Sequence, residues 1–376
     1  MIPLNSHLDP LQRSGIRRFT NLAKEVPDCV MLTIGEPDFD TPDPIKAAAV
    51  AALGENQTHY APNQGILPLR QAIAAYETKR GMACTAEQVL VTAGATGALF
   101  TALLGVLNEE DEVIIPTPAF SLYETIATVA GAKPVALDLA GENFQITAES
   151  LSAVLSEKTK AIVLNSPNNP TGTVLNEASL AAVKAAVAGK DIYIVCDNVY
   201  NQLTYGDCPD LSLDASLSEQ VLLCQSFSKP YAMTGWRVGY LIGPQKVMDR
   251  LLLLHAAEVA AIPTFLQTAC VTALSTDISD MAAAYRTRRD YCVRRLREMG
   301  LTFPEPEGAF YIFVDIRPFG MDSETFCTRL IQEAGVAMVP GSCFGAEGFV
   351  RLSYCCSMEN LQKAMSRLTQ FLNTTK

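Results

Sequence analysis

A chain of 376 residues with 49% hydrophobic and 18% charged side chains is long enough for two domains and too apolar to stay disordered. Its formal charge of −11 is spread along the sequence with no long basic run, which argues against nucleic acid and anionic membranes as partners. Eleven cysteines, odd in number and scattered without a C-x-x-C spacing, argue for free thiols in a reducing cytosol rather than a disulfide framework.

The opening residues Met1 to Asn5 lack a basic region followed by an apolar one, so no secretory signal is expected. From about residue 45 to residue 245 short β-branched runs alternate with alanine-rich amphipathic stretches. Strands are expected at 88–92, 112–115, 133–137, 161–164, 192–196, 221–224 and 239–242. Most are continuous apolar runs, as strands covered on both faces should be. Helices are expected between them, such as Gly97 to Leu107 and Glu177 to Ala188. The pattern predicts an α/β layered domain with a mainly parallel sheet.

A helix from about Pro244 to Ala261 follows. Its apolar core, Leu251 to Leu254, is broken by Asp249, Arg250, His255 and Glu258, so it is no membrane span. The pattern then changes: an arginine-rich helix (Tyr285 to Met299), a strand (Ala309 to Val314), another helix, strands at Val336 to Val339 and Phe349 to Ser353, and a last helix from Met358 to Leu372. This reads as a smaller α+β domain. The resulting division is an N-terminal segment over 1–40, a large domain over 41–270 and a small one over 271–376.

Four polar loops each follow a predicted strand, where open α/β sheets bind ligands. Thr92-Ala93-Gly94-Ala95-Thr96-Gly97 leads into a helix, and such turns either pack tightly or cradle an anion on free N–H groups. Phe120, in Pro116-Thr117-Pro118-Ala119-Phe120, is a core aromatic or a surface for a flat ring. Asn169 sits in the proline-rich turn Asn165 to Gly172 and has an amide to donate. Asp197 ends a strand, three residues before Tyr200; it either caps a turn or stabilises a protonated ring nitrogen.

The richest stretch is Ser226-Phe227-Ser228-Lys229-Pro230-Tyr231-Ala232-Met233-Thr234-Gly235-Trp236-Arg237. Lysine amines condense with carbonyls when their site lowers the cost of losing a proton. A guanidinium eight positions on can grip a phosphate. A lone lysine would be a solvated surface group; this one has the neighbours of a site. The three histidines, His7, His59 and His255, form no cluster with the cysteines, and no metal site is expected.

These segments in this order resemble the class I/II pyridoxal-phosphate aminotransferases of fold type I. The resemblance runs from Ser14-Gly15-Ile16-Arg17 and Ile34-Gly35-Glu36-Pro37-Asp38-Phe39, through Tyr60-Ala61-Pro62-Asn63-Gln64-Gly65, to Pro340-Gly341-Ser342-Cys343-Phe344 and Val350-Arg351-Leu352-Ser353. Within the family it is closest to the bacterial aminotransferase A group, which is associated with N-acetyl-diaminopimelate.

The resemblance implies a mainly parallel seven-stranded sheet sandwiched by helices, and pyridoxal 5'-phosphate as cofactor. By matching position, Lys229 is the Schiff-base lysine and proton carrier. Asp197 pairs with the ring nitrogen, Tyr200 and Asn169 hold the ring oxygen, and Phe120 stacks on the ring. Gly94, Ala95, Thr96, Ser226 and Arg237 bind the phosphate. Arg351, with Asn169 and the Gly35 backbone, binds the substrate α-carboxylate; the alternative is a surface strand arginine.

Tyr60 reaches the phosphate of a neighbouring subunit, which implies a homodimer with shared sites. The implied reaction is ping-pong transfer of an amino group from an L-amino acid to a 2-oxo acid. A carbon–sulfur β-lyase on the same fold is one alternative, and a non-catalytic domain that senses the cofactor is another. Side-chain selection is expected from the segment Ile16 to Phe19, with Arg17 and Arg18 as candidate readers of a second carboxylate.

Overall fold

The continuous apolar runs become strands whose alternate side chains enter different cores. In this computed structural model, which describes residue 2 and residues 4 to 375, the strands are β1 (Val30–Met31), β2 (Val89–Thr92), β3 (Glu112–Thr117), β4 (Lys133–Asp138), β5 (Thr159–Asn165), β6 (Tyr193–Asp197), β7 (Val221–Ser226), β8 (Gly239–Ile242), β9 (Tyr311–Asp315), β10 (Val336–Ala337), β11 (Val339–Pro340) and β12 (Phe349–Ser353). The expectation drawn at Met1 and Pro3 lies outside the described residues.

Seven strands form one sheet in the order β2-β8-β7-β6-β5-β3-β4, parallel except where β8 meets β2 and β7. Ile162, Leu164, Ile194, Cys196 and Leu223 pack into one core, while Ala161, Val163, Val195, Leu222 and Cys224 pack into another. A period of two thus buries both faces of the central strands, because helices cover them on either side, while the edge strand β4 stays partly exposed. Each aliphatic side chain so buried contributes about 1.5–3 kcal/mol.

A third core surrounds β9 and β12 and takes in Phe19, Ala23, Val30 and Leu32 from the N-terminal segment. Here β12 lies antiparallel between β11 and β9, and β1 pairs in parallel with β10, Val30 opposite Val336. Val350 and Leu352 face the third core. Arg351 faces the other way, yet it is only 2% exposed, so the surface-arginine alternative fails.

Four expected elements need correction. The arginine-rich helix placed at Tyr285 to Met299 spans Ser279–Glu298. The run Val336 to Val339 is not one strand: its halves pair with β1 and β12 respectively. The helix placed at Pro244 to Ala261 spans Gln245–Val259, and Ala260, at φ 57°, takes the chain out of it toward a separate helix, Thr264–Ala273. The helix expected from Gly97 begins at Gly94, whose φ of 67° starts the turn directly after β2. Among the described residues no helix is long and apolar enough to cross a membrane.

Candidate active site

Parallel strands end on one edge, and the residues there build the site. Asn165 closes β5 and Asp197 closes β6, and the two are register partners. Asn165 Nδ2 donates to the Asp197 carbonyl at 2.9 Å, and its Oδ1 accepts from the Asn169 N–H at 2.8 Å. One strand-end amide therefore fixes both the carboxylate strand and the turn that carries Asn169. Ser226 closes β7, and its Oγ accepts from the Ser228 N–H at 3.0 Å, which shapes the turn that presents Lys229.

A cavity of about 440 Å³ opens at this edge, walled by Gly35, Ala95, Thr96, Phe120, Asn169, Asp197, Tyr200, Ser226, Lys229, Arg237 and Arg351. Eleven residues named from sequence thus meet in one space. Gly94 lies just behind: a Cβ there would stand 2.9 Å from Arg237 Nη2, so a larger residue would push the guanidinium aside. Gly239 is equally constrained, since a Cβ would meet the Gly94 carbonyl carbon at 2.6 Å. The first turn of the helix from Gly94 leaves N–H groups unpaired. With Thr96, Ser226 and Arg237 they make an anion cradle. Arg237 itself sits at φ 56° and donates from Nη1 to the Thr234 carbonyl at 2.9 Å.

Tyr60 does not join this group. It is 94% exposed and lies by a separate cleft with His59, Ala261 and Phe265.

Electrostatically the cavity is tuned by burial. Asp197 Oδ2 accepts from the Tyr123 hydroxyl at 2.6 Å, while Oδ1 is buried without a hydrogen-bond partner among the described residues. Burial raises its pKa to about 6, partly offset by Tyr123, the Val199 amide and Lys229. Lys229 Nζ donates to the Gly35 carbonyl at 2.5 Å. Burial lowers its pKa to about 8. The Tyr200 and Tyr311 hydroxyls bond at 2.9 Å, and burial pushes the Tyr200 phenol up.

Arg351 is held from several sides. Nη1 donates to Asn169 Oδ1 at 2.8 Å and Nη2 to the Thr33 carbonyl at 2.5 Å. Its guanidinium carbon lies 4.5 Å from the Tyr311 ring centre and 4.8 Å from that of Phe344. Its Nε is buried without a partner among the described residues, and burial draws its pKa down.

The sequence reading missed Tyr123, Tyr311 and Asn165 as site residues. Tyr123 stands three positions after Phe120, edge-on to it with ring centres 6.2 Å apart. A tyrosine so placed beside a strand-end aromatic was the one available signal. Tyr311 closes the space under Gly35, where a Cβ would collide with its hydroxyl. Nothing local in Ala309 to Val314 marks it.

The family model described as aminotransferase class I and II matches residues 27–368. The probable N-acetyl-LL-diaminopimelate aminotransferase of Bacillus subtilis is 40% identical, with 98% of this chain and 95% of that protein covered. The aspartate aminotransferase of Pyrococcus horikoshii is also 40% identical, covering 97% and 96%. In three dimensions the chain is similar to the crystal structure of aspartate aminotransferase from Thermotoga maritima, with a TM-score of 0.95, 37% identity and 98% and 100% coverage.

Proposed function

The chain belongs to the class I and II aminotransferases, and from that premise we propose a role for each polar side chain of its cavity. It transfers amino groups with pyridoxal 5'-phosphate as cofactor, and the residues present fit that group. Asp197 Oδ1 is a buried acceptor that lacks a donor, as a site for a protonated ring nitrogen needs. The glycine-backed cradle of Thr96, Ser226 and Arg237 suits a phosphate. When bound, the cofactor supplies an aldehyde for amines and a ring that takes up electron density from the substrate's α-carbon.

Lys229 Nζ would hold the group at rest and move the substrate's α-proton in turnover. With a pKa lowered to about 8, its free amine is neutral in a usable fraction near pH 7. Tyr200 Oη and Asn169 Nδ2 would donate to the ring oxygen, since Asn169 Oδ1 is already engaged by Arg351. Phe120 would cover the ring face.

Arg351 would bind the substrate α-carboxylate, using the unpartnered Nε and the remaining Nη hydrogens, with the Gly35 backbone alongside. The observation that carries this reading is the meeting of Lys229, Asp197 and Arg351 in one cavity.

Visible spectroscopy of the purified protein with an amino acid panel tests it. The cofactor band is expected to convert to the pyridoxamine form, with amino transfer to 2-oxoglutarate; release of pyruvate, ammonia and thiol instead would make the protein a β-lyase. Arg351→Lys keeps the charge but loses the planar fork. It is expected to raise KM for amino donors by about 10–100-fold with a smaller change in kcat, read from substrate saturation.

A homodimer is supported by Tyr60 and by Val50, Leu53 and Leu67 nearby in sequence, 94%, 69%, 45% and 47% exposed. Sedimentation at micromolar concentration is expected to give twice the chain mass, and a monomer would remove the role assigned to Tyr60. A division near residues 40 and 270 is supported by the cores, since Ile45 to Ala273 supply those of the sheet while Phe19 to Leu32 and Tyr285 to Leu372 meet in the third. Eleven free thiols support a cytoplasmic location.

A further inference from the structure

Four cationic side chains wall the cavity, Arg17, Lys229, Arg237 and Arg351, against one carboxylate, Asp197. The roles above occupy three of the four: Lys229 with the cofactor, Arg237 with its phosphate and Arg351 with the α-carboxylate. Asp197 is matched by a protonated ring nitrogen. Arg17 is left over.

It stands in the first turn of the helix Gly15–Lys24. Its side chain is exposed and makes no hydrogen bond or ion pair with any described residue. Arg18, exposed on the same turn, is already engaged. Its Nη2 bonds Glu324 at 2.6 Å, its guanidinium carbon lies 4.9 Å from the Phe19 ring centre, and it takes no part in the cavity wall.

The wall beside Arg17 is apolar. Ile16 and Ile34 both line the cavity, and Ile34 remains 44% exposed, so a hydrocarbon stem passing over them would be covered favourably. Glu36, on the same segment, is engaged by the Thr234 hydroxyl and is not part of the wall. No carboxylate of the wall therefore neutralises Arg17.

The geometry points to Arg17 as the reader of a second anionic group at the far end of the donor's side chain. This rests on the aminotransferase reading. The preferred donors are then L-amino acids whose apolar stem ends in a carboxylate or an equivalent anion. A guanidinium binds such an end through charge-assisted hydrogen bonds. Because Arg17 is open to solvent, its contribution is that of a partly screened pair.

The test follows the donor half-reaction in single turnovers of the cofactor-loaded enzyme, so that no acceptor interferes. Wild type is expected to convert with L-glutamate or L-2-aminoadipate at least about threefold more efficiently than with L-leucine or L-alanine. Arg17→Ala is expected to cut the efficiency with the acidic donors by about 3–5-fold, as a partly screened pair gives, and to leave the neutral donors within about 1.5-fold. Arg17→Glu is expected to shift preference toward L-lysine and L-ornithine, and Arg18→Ala to keep the wild-type ratio.

A wild type without preference for acidic donors, or an Arg17→Ala that slows acidic and neutral donors alike, would overturn the assignment. Conversion by no amino acid at all would instead sink the aminotransferase reading.

Discussion

Lys229→Ala is expected to lower amino transfer by about 10⁴-fold or more, with a loss of the covalent cofactor adduct. Two properties are removed together. The amine that reaches the cavity disappears, and so does the one base there whose pKa, about 8, suits proton transfer near neutrality. Folding should survive, because Nζ makes its hydrogen bond to the Gly35 carbonyl alone and Ala leaves no charge buried. The measurements are steady-state transfer to 2-oxoglutarate and mass spectrometry after borohydride reduction. A reduced adduct persisting in the variant would assign attachment to another residue. Rescue of part of the rate by added small amines would confirm that a missing base, and not a distorted site, is the cause.

Asp197→Asn is expected to lower kcat by about 10³-fold, with a separate signature in the cofactor-free protein. The carboxyl has a folded-state pKa of about 6 against 3.8 for the unconstrained group. A group whose folded pKa is raised gives its stabilisation below the unfolded value, and loses it as pH rises through the folded one. From about pH 4 to about pH 7 the wild-type chain therefore gives up about 3 kcal/mol at this one position. Asn does not titrate and still accepts from the Tyr123 hydroxyl, so it lacks that slope. Thermal midpoints of the two cofactor-free proteins should diverge across that range, with the variant gaining on wild type as pH rises. A constant difference would mean that the wild-type carboxyl titrates at its ordinary value.

The chemistry of this chain was legible where it sits on contiguous strand–loop units. Asn169 and Lys229 follow strand ends, Asp197 closes one, and Arg237 lies in the loop that joins β7 to β8, so a period of two plus the rule about carboxyl edges brings them together. Arg351 was legible from its alternation with Phe349 and Ser353. What could not be read is partnership across distant segments. Tyr123 meets Asp197 and Tyr311 meets Tyr200 only once the sheet and the third core are docked. The run Val336 to Val339 looks like one strand because the register of its two halves is set by β1 and β12, far away in sequence. Tyr60 needs another subunit before its place can be judged. The boundary errors at Gly94 and Ala260 share a different cause, a residue of positive φ that restarts or stops a helix.

The pairing of β1 with β10 has a consequence for how the enzyme is made. The N-terminal segment carries Gly35, whose carbonyl receives Lys229 Nζ, and Thr33, whose carbonyl anchors Arg351. That segment leaves the ribosome long before its strand partner, Val336–Ala337. The sheet can assemble on a nascent chain while one wall of the cavity is still missing. A chain that stops before β10 would thus carry Lys229, Asp197 and Arg237 with neither a docked Gly35 carbonyl nor Arg351, a cofactor pocket without the wall that faces the substrate.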